Sequence, residues 1–265
     1  MSSDTSDPNL HWTTAITQVK PNEIRLRGHR LDQLMGTVSF AQAIFLTLTG
    51  ELPTPEVGRL LDAMLVASID HGATPPSVLA ARTSASTGAP LNAALAAGIL
   101  SINRYHGGAI EDCVRLIQAV AARMEAANLA AAQAARALVA DYHAAKKRLP
   151  GFGHRIHTND PRTNRLFELA EEAGVSSQGV QIVRTLADAL AAQLGRELPI
   201  NVDGAIAALL YDLQIAPELA NAFFIMARVP GLVAHIHEEQ TRERPMRRIH
   251  PTDHSYDGPL DDAAS

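Results

Sequence analysis

The sequence predicts an all-α protein, on three observations. Alanine and leucine dominate a composition that is 46% hydrophobic but only 4% aromatic, and these residues favour helices over sheets. Helix-start signals recur along the chain, with proline at or near the first position. Only Ile24-Arg25-Leu26-Arg27-Gly28 alternates with the period of two that a strand requires, and it is short.

Taken in order, residues 1–23 read as a polar lead-in. Leu31 to Leu48 reads as a helix stopped by Gly50. Thr54-Pro55-Glu56 combines a capping Thr, a Pro at the first helical position and an acid at the positive end of the dipole, and starts a helix running to about Ile69. Similar starts recur at Thr74-Pro75 and Ala89-Pro90; in the second of these helices Leu91, Leu95, Gly98 and Ile102 share a face. A helix follows from about Glu111, and another runs from Leu129 into a basic end at Arg148. Further helices start at Pro161, with Asp160 as its cap, and near Gln178, Gly204 and Pro217. Pro230-Gly231 should kink or break the last of these. From Thr241 the chain is polar and proline-containing, with little regular structure expected.

The 265 residues suffice for one large domain or two modest ones. The net charge of −5 gives no reason to expect nucleic acid as a partner. Basic residues nonetheless cluster at 146–155 and 242–248, which suits small anions. Cys113 is the only cysteine, so no internal disulfide can form, and it reads as a small buried hydrophobe in a reducing compartment. The N-terminus carries no apolar signal region, and no uncharged apolar run is long enough for a bilayer. A cytoplasmic protein with no membrane partner is expected.

Three helix-breaking turns carry an ionisable side chain at their edge: Tyr105-His106-Gly107-Gly108, Gly151-Phe152-Gly153-His154 and Asn201-Val202-Asp203-Gly204. Two histidines and a carboxylate make an acid–base set if the fold brings them together. Each also has a plain structural reading. Asp203 can cap the following helix, and His106 can end a helix whose left-handed cap is Gly107. The loop Lys146 to Arg162 joins bare amides to Lys146, Lys147, Arg148 and Arg155, a setting for an anionic group, or a basic surface turn. His235-Ile236-His237-Glu238-Glu239 is not read as a metal site, because histidines two apart on a helix diverge. His29, His143, His157 and His250 read as surface or structural.

These motifs, in this order, resemble the citrate synthase superfamily. The likeness rests on His106-Gly107-Gly108-Ala109, on Gly151 to Arg155 with Asp160-Pro161-Arg162, and on Asn201-Val202-Asp203. Ile24 to Gly28, Leu46 to Thr54, Asp70-His71, Ala81-Arg82, Ala227-Arg228, Gly231, Ala234-His235 and Arg244-Pro245 extend it across about Ile24 to Gly258. It implies an all-α fold with a large domain (24–106 and 210–265) and a smaller one (107–209) closing over a cleft, as a homodimer. The implied catalytic set is His106 at the thioester carbonyl, His154 at the hydroxyl or ketone oxygen, and Asp203 at the acetyl methyl carbon. The implied carboxylate ligands are His71, Arg162, Arg228 and, from the partner subunit, Arg244. Leu149, Pro150, Gly151, Phe152 and Gly153 would line the adenine site of a coenzyme A thioester, with Arg155, Lys146 and Lys147 facing phosphates. No permanently bound cofactor and no metal are implied.

The interval from Pro53 to His71 is short, where full-length citrate synthases carry extra helices, and Ile110 stands where their asparagine usually follows His-Gly-Gly-Ala. The layout is similar to citryl-CoA lyases and to the lyase module at the C-terminus of ATP citrate lyase. That similarity implies cleavage of citryl-CoA to acetyl-CoA and oxaloacetate. With no Walker-type loop, a separate ligase or CoA-transferase would supply the citryl-CoA. A compact citrate or 2-methylcitrate synthase, and a non-catalytic CoA-binding scaffold, are the alternatives.

Overall fold

The computed structural model describes residues 12–154, 158–175 and 177–247. Its described part is helical except for a small N-terminal sheet: β1 (Thr17–Lys20), β2 (Glu23–Leu26) and β3 (His29–Arg30), antiparallel in that order. Leu26 pairs with His29 across Arg27-Gly28, and both turn residues have positive φ, as a two-residue hairpin matching strand twist requires. The Arg27 side chain donates to the Thr47 carbonyl at 3.0 and 2.9 Å, tying the hairpin to the helix behind it. The lead-in expected over 1–23 thus contains a strand; all four residues of β1 are exposed, so no apolar alternation marks it.

The expected Leu31–Leu48 helix is two helices, α1 (Leu31–Leu34) and α2 (Phe40–Thr49). Ser39 restarts the chain through a capping box with Gln42, a local signal strong enough to override the continuous apolar pattern. There follow α3 (Pro55–Ala67), α4 (Pro76–Ser86), α5 (Leu91–Leu100), α6 (Ala109–Ala127), α7 (Ala131–Ala144), α8 (Pro161–Glu172), α9 (Gln178–Leu194), α10 (Val202–Asp212) and α11 (Pro217–Arg242). The helix over 129–148 ends before its basic cluster: Ala144 is its last residue, and Lys146 turns out at φ 53°. Pro230 neither ends nor divides α11.

The chain forms two compact units, Met1–Ile69 with Arg104–Ala227, and Asp70–Asn103 with Arg228–Ser265.

In the first unit α10 is the central element. Ala205 through Leu210 are all at most 1% exposed, and a helix apolar on every side belongs inside. The helices α6, α8 and α9 pack around it, and α7 packs on α9. The N-terminus of α9 is capped by Asp212 at the end of α10, whose carboxylate accepts from Ser177 N, Ser177 Oγ, Gly179 N and Val180 N.

In the second unit α4 and α5 pack through Val78, Ala81, Ala85 and Ala94 with Leu232 and Ile236 of α11. Gly98 lets the helices close: a Cβ there would lie 3.0 Å from the Ser77 carbonyl and 3.1 Å from Ala81 Cβ. The buried face of α5 is therefore Ala94 and Gly98, while Leu91, expected on that face, is exposed. By length and composition α11 could cross a membrane, although Arg228 interrupts its apolar run, so the expectation of no uncharged span of that length is not contradicted. Its Ala220, Phe223, Ala227, Leu232 and Ile236 are buried core instead.

Asp212→Ala removes four acceptor contacts at the start of α9. It should lower stability by about 1–2 kcal/mol in urea unfolding, without changing helix content at low denaturant.

Candidate active site

A crossing of two backbones without side chains organises the site. Gly151, at φ +86°, passes the N-terminus of α10 so closely that a Cβ on Gly204 would sit 2.4 Å from the Gly151 carbonyl oxygen. A Cβ on Gly151 would lie 2.7 Å from Cys113 Sγ of α6 and 2.8 Å from Gly204 Cα. The loop then pairs like a strand with the residues leading into α10. Asn201 N donates to Gly151 O at 3.1 Å, and Gly153 N to Pro199 O at 2.8 Å. Phe152 bridges Ile200, and Asn201 Nδ2 donates to Gly153 O at 3.0 Å. The Thr163 hydroxyl, from α8, holds the Ile200 carbonyl at 3.0 Å.

Asp203 is not the helix cap. That role falls to Asn201, whose Oδ1 accepts from Gly204 N at 3.1 Å. Asp203 stands in the first turn of α10, half-buried, where the helix dipole favours a carboxylate. Its charge reaches Cys113: burial first, then the Asp203 and Asp112 carboxylates, push that thiol far above its ordinary range.

His106 does not end a helix either. It lies in the turn between α5 and α6, followed by Gly107 at φ 91°, and its ring meets the edge of Phe224 of α11 at 5.8 Å between centroids. The cap of α6 is supplied from a distance: Asn221 Oδ1 accepts from Glu111 N at 3.0 Å, and its Nδ2 donates to Glu111 Oε2 at 3.0 Å. Asn221 and Phe224, one turn apart, thus hold the start of α6, a pairing no local motif announces.

His154 is half-buried and close enough to Asp160 for its charge to act there. Asp160 is fully buried and caps α8, accepting from Arg162 N at 3.1 Å and from the Arg162 side chain at 3.0 and 2.8 Å. Burial works to raise the Asp160 carboxyl, but its hydrogen bonds and the Arg162 and His154 charges outweigh that and hold it below its ordinary 3.8. Arg162 also donates to Ala67 O at 3.3 Å, so a ligand carboxylate must use the guanidinium's other N–H groups.

The remaining expected carboxylate ligands lie in the other unit. His71 is exposed and follows Asp70, whose carboxylate accepts from Gly72 N at 2.9 Å and meets His235 Nε2 at 3.0 Å. Arg228 is 3% exposed on α11, and Arg244 is exposed just beyond it.

A cavity of about 500 Å³ opens beside the loop. Leu149, Phe152, Gly153 and His154 line it, with Val139, His143, Lys147 and Arg148 from the end of α7 and beyond. Leu190, Gln193, Leu194, Arg196 and Leu198 close it from the end of α9. It joins apolar walls to cations at the rim, the character needed for a nucleotide-like ligand with phosphates. Lys146, Pro150 and Gly151 are not in its lining; Gly151 is buried at the crossing. Arg155, His157 and His250 lie outside the described residues. His143, read as surface or structural, is exposed at the cavity's edge, and the lining from α9 was not foreseen, since α9 meets the loop only in three dimensions. Arg196 does follow Gly195, the left-handed residue that ends α9, and that is the one local hint. Among the described residues no His, Cys, Asp and Glu group is arranged to hold a metal ion; His235 is on Asp70 and His237 is exposed.

Residues 53–251 match the family model described as citrate synthase, C-terminal domain. The chain belongs to the citrate synthase family. It is 42% identical to the citryl-CoA lyase of Hydrogenobacter thermophilus, with a TM-score of 0.85 over 94% of this chain and 96% of that one. It is 28% identical over 221 residues to a citrate synthase of Heyndrickxia coagulans, covering 81% of this chain but only 56% of that protein. An ATP citrate lyase of Methanothrix soehngenii, solved with citrate and coenzyme A, shares the fold at 23% identity, TM-score 0.83, over 99% of this chain and 44% of that one.

Two outcomes follow from this geometry. Gly204→Ala should destabilise the protein by about 2–3 kcal/mol in chemical denaturation, because both groups forced apart are backbone. The stability due to the depressed Asp160 is complete above about pH 4 and is lost as pH falls through its lowered value; Asp160→Asn should shrink that acid limb in urea melts from pH 6 to 2.

Proposed function

We propose that the protein is a citryl-CoA lyase, cleaving citryl-CoA to acetyl-CoA and oxaloacetate. The observation that carries this reading is the end-to-end match, at 42% identity, to a citryl-CoA lyase that the chain covers almost completely. The citrate synthase of Heyndrickxia coagulans, by contrast, is nearly twice the span matched.

In this reading His154 takes the proton from the citryl hydroxyl, and the carbon–carbon bond breaks as that oxygen becomes the ketone of oxaloacetate. The bonding pair moves into the thioester as an enolate, whose oxygen accepts a hydrogen bond from His106; a preorganised donor of this kind is worth roughly 3 kcal/mol. Asp203 then delivers a proton to the carbon, giving the acetyl methyl group. A proton transfer by a positioned group contributes about 10²–10⁴ in rate.

The carboxylates are held by His71, Arg162 and Arg228, and by the partner subunit's Arg244 in a homodimer, since planar guanidinium forks fix orientation as well as charge. The loop from Leu149 to Gly153 receives the adenine, while Lys146, Lys147 and Arg155 face phosphates. Arg148 and Arg196, at the rim of the cavity, join them. Closure of a lobe of residues 107–209 on one of residues 24–106 and 210–265 excludes water. The protein works in the cytoplasm, with coenzyme A entering and leaving as substrate and product and no resident cofactor. A separate ligase or CoA-transferase activates citrate.

Family members that are citrate synthases favour a second reading, condensation of acetyl-CoA or propionyl-CoA with oxaloacetate. Citryl-CoA supplied to the enzyme should release oxaloacetate, read as NADH oxidation by malate dehydrogenase. Free thiol released from acetyl-CoA plus oxaloacetate, with no citryl-CoA cleavage, would decide for the synthase. Asp203→Asn should lower turnover about 10³-fold while coenzyme A binding persists. Unchanged turnover would remove Asp203 from the mechanism.

A further inference from the structure

In the second unit the turn after α11 is fastened by a buried charge network that the proposed reaction does not use. The Glu239 carboxylate is fully buried. It accepts from Arg82 Nε of α4 at 2.7 Å, and from Arg247 through a two-pronged contact, Nε at 2.6 Å and Nη2 at 2.5 Å. Arg247 also meets Glu243 at 3.5 Å. Met246 N donates to Ser86 O at 2.8 Å, and Arg247 N closes the turn on Arg244 O at 3.2 Å.

Burying Glu239 and most of Arg82 against a half-buried Arg247 is a poor way to gain stability, since desolvation offsets most of the attraction. What such a network supplies is position. Between its anchors at Glu239, Ser86 and Arg247, the backbone of Glu243 to Met246 has little freedom, and the exposed Arg244 side chain springs from that backbone. A cation presented from a fixed base binds an anion with less ordering cost than one on a loose tail.

We propose that Arg82, Glu239 and Arg247 are positioning residues that aim Arg244 at a carboxylate of the ligand held by a second copy of this chain. The proposal rests on the reading above, in which Arg244 completes the partner's site. None of the three touches substrate; they act through Arg244 alone.

A double-mutant cycle on the full-length enzyme tests this, assayed by citryl-CoA cleavage, or by condensation if that is the reaction found. Arg247→Met should lower kcat/KM roughly 10–100-fold, mostly through KM, with the Kd for coenzyme A alone unchanged and Arg247→Lys restoring part of the loss. In an Arg244→Ala background the same change should have no further effect, because the residue it positions is gone. Multiplying losses, or an Arg247→Met enzyme as active as the parent, would overturn the proposal. If Arg244→Ala itself loses nothing, the assignment of Arg244 to the partner's site falls, and this proposal with it. Should Arg247→Met fail to fold by circular dichroism, Arg247→Gln, which keeps one hydrogen bond to Glu239, is read in the same cycle.

Discussion

The passage of Gly151 against Gly204 is the constraint on which the first unit's chemistry depends. Two chain segments some fifty positions apart share a backbone hydrogen bond and a van der Waals contact that leave no room for a single methyl group on either. The pairing of residues 151–153 with 199–201 follows from that approach, and it fixes where His154 leaves the loop and where α10 begins. Because α10 is packed on all sides, its first turn cannot drift, and Asp203 inherits that rigidity. The third motif, at His106, is tied in through α6, whose Cys113 lies beneath the same crossing.

Carboxylates do the fastening at chain turns in both units. Asp160 holds the entry to α8 and orients Arg162. Asp212 holds the entry to α9. In the other unit Asp70 shapes the turn beside His71 and meets His235. In each case an acid satisfies amides at a chain turn, sometimes with a cation alongside, and at the fully buried Asp160 its removal would strand donors out of water. At Arg162 the contact also orders a cation: Asp160 and the Ala67 carbonyl lock the plane of the guanidinium.

Much of this was legible in the sequence, because the strongest signals are local. The caps at Ser39, Thr54 and Asp160 obey rules written within four residues, although the apolar run over Leu31–Leu48 hid the first of them. Helix existence was readable wherever a Pro or Gly punctuated the pattern. The motif residues around His106, His154 and Asp203 stood out as breaks in that pattern. What could not be read was anything decided by another element. Asn201 rather than Asp203 caps α10 because Asn201 is also held by Gly151 and Gly153. Asn221 caps α6 across 110 positions. Leu91 is exposed and Gly98 buried because α4 approaches α5 at the smallest residue, not the largest. The far wall of the cavity belongs to α9, which no spacing along the chain connects to the loop.

Cys113 carries a consequence for anyone handling the protein. A lone thiol with no exposed surface, kept protonated by its apolar surroundings and two nearby acids, is shielded from alkylating reagents while α6 stays seated on α10. Its modification can proceed only through molecules in which those helices have parted. The rate of labelling is therefore a built-in gauge of how often the heart of the first unit opens, readable on the native chain without adding a probe.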